Sequence, residues 1–185
     1  QAFFGGSALM CGAHMALNAF YSLYLERAGY SKPFIGGMWA LGVGCEVAFF
    51  YWQASVFQRF GARTVMMCAY AVALVRFPMI ALGTGSLALL LLAQLMHAAT
   101  FAAHHSASVM RLQRWFSGPL QARGQALYMS LAFGLGGSAG GLAMSYSWEA
   151  FGPASVYVLA ALMAAAGAAA SSWSFRLEGT RRLKA

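Results

Sequence analysis

The stretch AYAVALVRFPMIAL, from Ala69 to Leu82, carries one charged residue, Arg76, in an otherwise apolar run. An arginine in the middle of a bilayer-crossing segment costs roughly 2.5 kcal/mol or more, so it needs polar partners and a function. The whole chain favours such a setting, because 61% of its 185 residues are hydrophobic and 9% are charged, whereas a soluble domain has about 25% charged residues. The sequence therefore predicts an all-α integral membrane protein whose surroundings are the lipid bilayer.

Six apolar segments are long enough to cross a bilayer as helices, which takes about 20 residues each. The predicted spans are 3–25, 34–57, 64–82, 87–110, 124–146 and 154–175, within one domain that covers 1–185. The triplets 3–82 and 87–175 each hold three spans, so we expect two inverted three-helix repeats. Because the chain starts at Gln1 at the edge of an apolar run, we expect it to be a piece of a longer protein.

The basic residues outside the spans sort onto two sides of the predicted membrane. One side has Arg27 and Lys32 alone. The other side has a larger set: Arg59, Arg63, Arg111, Arg114, Arg123, Arg176, Arg181, Arg182 and Lys184. The positive-inside rule places the larger set in the cytoplasm, and with it both the N-terminal end and the tail 176–185. Since these residues form no single patch, we expect no nucleic-acid partner.

Four ionisable side chains lie near mid-depth on four different predicted helices. Glu46 is about 18 Å from the outer edge of its span and Arg76 about 18 Å from the inner edge of its own, at about 1.5 Å per residue. His14 and His97 fall at similar depth. In a core about 30 Å thick these levels coincide within the reach of an arginine side chain. We therefore predict that Glu46 is the partner of Arg76, and that the four groups mark an ion or substrate path.

Polar and aromatic residues share faces on three of these helices, at i, i+3 and i+4 spacing. The candidate binding and coupling residues are His14 and Asn18 on the first span, Trp39, Glu46 and Gln53 on the second, Arg76 on the third, and Gln94, His97, Phe101 and His104 on the fourth. Aromatic groups interleaved with hydrogen-bonding groups suit a small, partly apolar ligand, an anionic one included. Adjacent residues His104 and His105 point about 100° apart on a helix, so no metal site is expected.

Several stretches resemble the C-terminal half, helices seven to twelve, of a major facilitator superfamily transporter. The likeness lies in WALGVGCEV (39–47), the VR pair at 75–76, QLMHAATF (94–101) and the basic glycine loop QRFGAR (58–63). It is nearest to the phenylpropionate transporter branch, which is related to the lactose permease. This resemblance implies one half of a twelve-helix bundle in a bacterial inner (plasma) membrane, with the N-terminal six-helix half as its partner.

The resemblance also implies roles for individual residues. Lactose permease-like transporters have a glutamate on helix eight, an arginine on helix nine, and a histidine with a carboxylate three residues later on helix ten. Glu46, Arg76 and His97 match the first three, whereas Thr100 stands where the carboxylate is expected. By this resemblance the chain is expected to be a secondary transporter that moves a small organic solute such as an aromatic carboxylate, with the proton as coupling ion and no other cofactor.

Other functions fit parts of the pattern. A sugar or nucleoside permease of the same superfamily stays open as the runner-up, and a six-span channel would leave Glu46, Arg76 and His97 without a role. A rhomboid-like intramembrane protease would use Ser138 as nucleophile with a histidine from the following helix as base. Because every histidine precedes Ser138 in the chain, we do not expect an enzyme.

Overall fold

A computed structural model of the chain describes residues 1–182, which contain helices and no strand. The α-helices are α1 (Ala2–Asn18), α2 (Tyr21–Arg27), α3 (Lys32–Leu82), α4 (Leu87–Leu95), α5 (His97–Thr100), α6 (Ala102–Trp115), α7 (Gln121–Tyr128), α8 (Gly137–Phe151) and α9 (Ser155–Arg182). A π-helix, Met129–Gly136, joins α7 to α8, and short 3₁₀ turns lie at Gly83–Gly85 and Gly118–Leu120. Of the tail predicted at 176–185, the part up to Arg182 continues α9, and residues 183–185 lie outside the described residues.

Helix α3 is too long to cross a membrane once. Its 51 residues would extend about 77 Å if straight, more than twice the thickness of a hydrocarbon core of about 30 Å. It is divided at Gly61, whose backbone angles are φ 70° and ψ 159°. Residues with a side chain rarely adopt this conformation, so glycine permits the turn between the basic residues Arg59 and Arg63. The segments predicted at 34–57 and 64–82 lie on either side of this break.

Three helical stretches are by length and apolar composition able to cross a membrane: Lys32–Gly85, Gly118–Phe151 and Ser155–Thr180. The pair Leu87–Leu95 and His97–Trp115, bent by 42°, makes a fourth if it is taken as one broken span. Large apolar side chains are widely exposed, among them Leu142 at 74% and Phe151 at 75%. Such a surface suits lipid and further protein rather than water. The chain is an all-helical, multi-pass membrane protein.

Helix α1 lies at the centre of the packing, against α9 on one side and the π-helix and α8 on the other. Glycine makes the second contact possible, because a Cβ placed on Gly140 would lie 2.4 Å from the Cα of Gly12. A Cβ on Gly136 would similarly lie 2.5 Å from the carbonyl oxygen of Ala8. In lipid, where no hydrophobic force draws helices together, such close backbone approach is what associates them.

Arg111 connects the ends of α6 and α9. The side chain is 4% exposed, donates to Ser174 Oγ at 2.8 Å, and forms an ion pair with Glu178. Its guanidinium also lies over the ring of Phe175, 3.8 Å from the centroid. The sequence places Arg111 among the basic residues of a loop, whereas the structure uses it to hold two helices together.

Candidate functional site

Arg76 is fully buried, and all three of its donor nitrogens have hydrogen-bond acceptors. Nε donates to the carbonyl oxygen of Ala93 at 2.7 Å, Nη1 to Thr100 Oγ1 at 2.8 Å and Nη2 to Gln94 Oε1 at 2.9 Å. Gln94 in turn donates to the carbonyl oxygen of Met38 at 2.8 Å. These acceptors are neutral, so none of them cancels the positive charge of the guanidinium. The network joins both halves of α3 to the region where α4 and α5 meet.

The broken span gives Arg76 its backbone acceptor. Helix α4 ends at Leu95, and the chain bends by 42° before the next long helix. The last carbonyls of a helix lack intrahelical partners, and Ala93 lies in that last turn. A side chain inserted into the hydrogen-bond ladder is a recognised cause of sharp bends. The bend at Met96 and the position of Arg76 therefore depend on each other, because the bend exposes the carbonyl oxygen of Ala93 and the guanidinium binds it.

Glu46 pairs with His97, at 2.5 Å between Oε1 and Nε2. The prediction that Glu46 is the partner of Arg76 is therefore wrong, since no carboxylate among the described residues forms an ion pair with this arginine. Both residues contact the segment of α4 and α5, but Glu46 contacts His97, whereas Arg76 contacts Ala93, Gln94 and Thr100. The Glu46 side chain is 17% exposed and that of His97 is 7% exposed. The carboxylate thus keeps access to the surface of this chain.

His14 joins the network through Thr100. Its Nδ1 lies 2.9 Å from the carbonyl oxygen of Met10, so this nitrogen must be the donor. In the neutral ring Nε2 is then an acceptor, 3.3 Å from Thr100 Oγ1. Thr100 has one hydroxyl hydrogen, which it donates either to His14 Nε2 or to the carbonyl oxygen of His97 at 3.0 Å. Thr100 is therefore in contact with the groups around Arg76, His14 and His97 together.

Aromatic rings enclose the two histidines. Phe101 stacks on His97 with centroids 5.7 Å apart and planes 6° apart. It also lies 5.4 Å from the ring of His14, and Phe77 meets His14 edge-on at 5.6 Å. A separate apolar groove of about 510 Å³ is lined by residues such as Cys45 and Ala98, and none of the site residues lines it. The aromatic rings give the two histidines apolar neighbours, as in sites for small organic ligands.

Four of the predicted site residues lie away from this network. His104 belongs to a neighbouring polar cluster, with Nε2 3.2 Å from the Tyr70 hydroxyl. Trp39 donates to Ser22 Oγ at 3.0 Å, between α2 and the start of α3. Asn18 is exposed and Gln53 half-buried, and neither side chain has a hydrogen-bond partner recorded among the described residues. The structure therefore brings Glu46, Arg76, His97, His14, Gln94 and Phe101 together.

Thr100 is the residue whose importance the sequence reading missed. It appeared as the residue that replaces a carboxylate, whereas it accepts a hydrogen bond from the buried guanidinium. A signal was present, because Gln94, His97 and Thr100 repeat at intervals of three. The cluster of Tyr70 with Ser171, whose Oγ donates to the tyrosine hydroxyl at 3.0 Å, had no comparable signal, since it joins α3 to α9 over a long sequence separation.

The placement of the possible metal ligands and of Ser138 can also be described. Within residues 1–182, no group of three histidine, cysteine or acidic residues is placed to hold a metal ion. Ser138 is exposed, and no hydrogen bond to a histidine is found for it among the described residues. What the site does offer is one carboxylate, two imidazoles and one guanidinium. Such a set can exchange a proton and respond to the charge of a ligand.

Comparisons with known proteins agree with a helical membrane protein. The sequence profile of the MFS_1 like family matches residues 1–159. The chain is 34% identical over 126 residues to the Probable 3-phenylpropionic acid transporter of Escherichia coli (strain K12), a match covering 68% of this chain and 33% of that protein. The match thus spans about a third of the length of this curated relative. No solved structure shows a significant match.

Proposed function

The chain belongs to the MFS_1 like family, and we propose that it is the C-terminal half of a secondary transporter that carries a small aromatic carboxylate together with a proton. The family and the relative point to a transporter rather than an enzyme. Within this proposal, the substrate class is taken from the 34% identical relative, which is named for 3-phenylpropionic acid. The N-terminal six-helix half is then the partner with which the cavity is completed.

The contact between Glu46 and His97, beside the unpaired charge of Arg76, carries the proposal. Glu46 and Arg76 are the acidic and basic residues of segments 34–57 and 64–110, so their charges cancel when His97 is neutral. Adding one proton to the Glu46–His97 pair gives the group of Glu46, His97 and Arg76 one net positive charge. A monovalent carboxylate cancels that charge, whereas a neutral sugar or nucleoside does not. Since a net charge near mid-membrane costs roughly 2.5 kcal/mol or more, proton and carboxylate favour each other's binding.

The architecture follows from the helix breaks. We count α1 with α2 as one crossing, α3 as two on either side of Gly61, α4 to α6 as one, α7 to α8 as one, and α9 as one. In this proposal the chain crosses a bacterial inner membrane six times, and the positive-inside rule favours the cytoplasmic side for its N-terminal end and for the end of α9. Alternating access then arises from rocking of the two halves around the mid-membrane site.

Replacing Glu46 with glutamine tests the coupling. In vesicles that contain the full-length transporter, we expect the E46Q variant to lose uphill accumulation of 3-phenylpropionate under an imposed proton gradient. It should retain exchange of labelled for unlabelled substrate, which needs no net proton movement. The exposed Glu149, changed to glutamine, serves as the control and should retain both activities. Equal loss or equal retention of accumulation and exchange in E46Q would contradict the coupling role.

A further inference from the structure

A small cavity lies next to the Arg76 network, because His14 and Thr100 are among the residues that line it. Its volume is about 10 Å³, enough for about one water molecule. Among its lining residues, those with polar groups are Cys11, His14, Thr100, His104, His105 and Tyr128. A water in a protein interior typically needs two to four hydrogen-bonding partners, and the polar side chains among the lining residues are the candidates for them.

The histidines form a column around this cavity. The rings of His97 and His14 have centroids 6.2 Å apart, and His14 lines the cavity from above. His105 lines it from below, eight residues or about 12 Å further along the helix than His97. The Nδ1 of His105 lies 3.5 Å from the Tyr128 hydroxyl, and His105 is half-buried where His97 and His14 are buried. The column thus leads from the site to the surface.

An atom without a partner marks the upper end of the column. The Nδ1 of His97 is buried and has no hydrogen-bond partner among the described residues, while Nε2 contacts Glu46. Burying an imidazole nitrogen unpaired is unfavourable, and such atoms in native proteins call for an explanation. An imidazole that exchanges protons needs both nitrogens: one faces Glu46, and the other must stay available for the next group.

We propose that His97, His14, the one-water cavity and His105 form the path by which a proton travels between Glu46 and the cytoplasmic side. This inference rests on the proposed proton-coupled function and adds the route. The proton of the Glu46 carboxyl passes to His97 Nε2, and His97 releases its Nδ1 proton to His14 Nε2. Because the Nδ1–H of His14 stays bonded to the carbonyl oxygen of Met10, His14 passes the proton on from Nε2. A water in the cavity accepts a proton there and donates one to His105, which releases it to solvent. Glu46 ends as a carboxylate and the other groups end with the number of protons they started with.

Other ionisable groups near the path are held in different contacts. His104 lines the cavity but its Nε2 contacts Tyr70, which also accepts from Ser171. Arg76 lies above the cavity with its donors occupied by neutral acceptors. Its positive charge opposes a standing charge on His14, so a proton passes this point rather than resting there. His105, the half-buried ring at the lower end, is therefore the residue to change.

Replacing His105 with phenylalanine or glutamine tests the path in the full-length transporter. Phenylalanine keeps the ring, glutamine keeps hydrogen bonding, and neither carries protons at neutral pH. Proton entry is followed with a trapped pH-sensitive dye while vesicles take up 3-phenylpropionate, and substrate counterflow at equal pH is measured on the same vesicles. We expect proton flux to fall by about a hundredfold or more, the lower end of the range for losing a positioned proton-transfer group. Counterflow should stay unchanged.

Phe133 provides the matched control, because it lines the same cavity and packs 5.7 Å from His105 without an ionisable group. The Phe133→Leu variant should keep both proton flux and counterflow. Wild-type proton flux in a His105 variant that retains counterflow would overturn the path and leave the proposed function standing. Uptake by the unmodified transporter with no proton movement would overturn the proposed function, and the path with it. If the phenylalanine variant lacks counterflow because it does not fold, the glutamine variant decides.

Discussion

Replacing Thr100 with valine should destabilise the protein strongly, although valine has nearly the same shape. The hydroxyl accepts the hydrogen bond of Arg76 Nη1 at 2.8 Å and lies 3.3 Å from His14 Nε2. A hydrogen bond to a charged group contributes about 1.5–3 kcal/mol, and a neutral one between membrane helices about 0.6 kcal/mol. We therefore expect the free energy of unfolding to fall by about 2–3.5 kcal/mol, which is roughly a 30- to 300-fold change in the unfolding equilibrium.

The assay is SDS-driven unfolding of the purified full-length transporter in mixed micelles. Thr100→Ser is the matched control, because serine keeps the oxygen, and it should lose less than about 1 kcal/mol. Glu46→Gln should also lose little, since Glu46 is 17% exposed and pairs with His97 instead of Arg76. A valine variant as stable as the serine variant, together with a strongly destabilised glutamine variant, would refute the network and restore a Glu46–Arg76 pair.

Two further predictions concern glycines, and the same SDS-driven unfolding assay measures both. Gly61→Ala should lower the free energy of unfolding by about 1–3 kcal/mol, because the backbone at this break is one that glycine alone adopts readily; Gly44→Ala, in open space, should show no loss. Gly140→Ala should lower it by about 1–3 kcal/mol, because its Cβ would meet the backbone of Gly12. Gly141→Ala should be near neutral, because its Cβ would meet only the Met15 side chain, at 3.6 Å. Equal losses of stability in the Gly140→Ala and Gly141→Ala variants would contradict the close packing of α1 on α8.

The sequence predicts the helices better than it predicts their contacts. Apolar runs and basic loops identify an all-helical membrane protein, and the glycine loop around Gly61 indicates where α3 turns. Counting residues from the ends of the predicted spans also places Glu46, Arg76, His97 and His14 at one depth in the predicted membrane. It says nothing about the direction of each side chain around its helix axis, which is why the partner of Arg76 was assigned wrongly. A shared level is necessary for a contact and does not determine it.

The breaks inside the later spans depend on tertiary contacts. No proline or glycine marks the bend at Met96, where Arg76, distant in sequence, binds the Ala93 carbonyl. The π-helix Met129–Gly136 contains glycines, but their spacing equally suits a regular helix. It places Phe133 against Phe101 and His105. Local sequence cannot indicate these features, because their causes lie on other helices.

The central claim is that one proton and one carboxylate cross together with no net charge, and paired flux measurements test it most directly. Proton and 3-phenylpropionate entry would be recorded in the same vesicles, first with the membrane potential clamped at zero and then with 100 mV imposed. The account predicts a flux ratio of one and accumulation that does not change with the potential. One net charge per cycle would instead shift accumulation by about 50-fold per 100 mV, and such a shift, or uptake without proton entry, would contradict it.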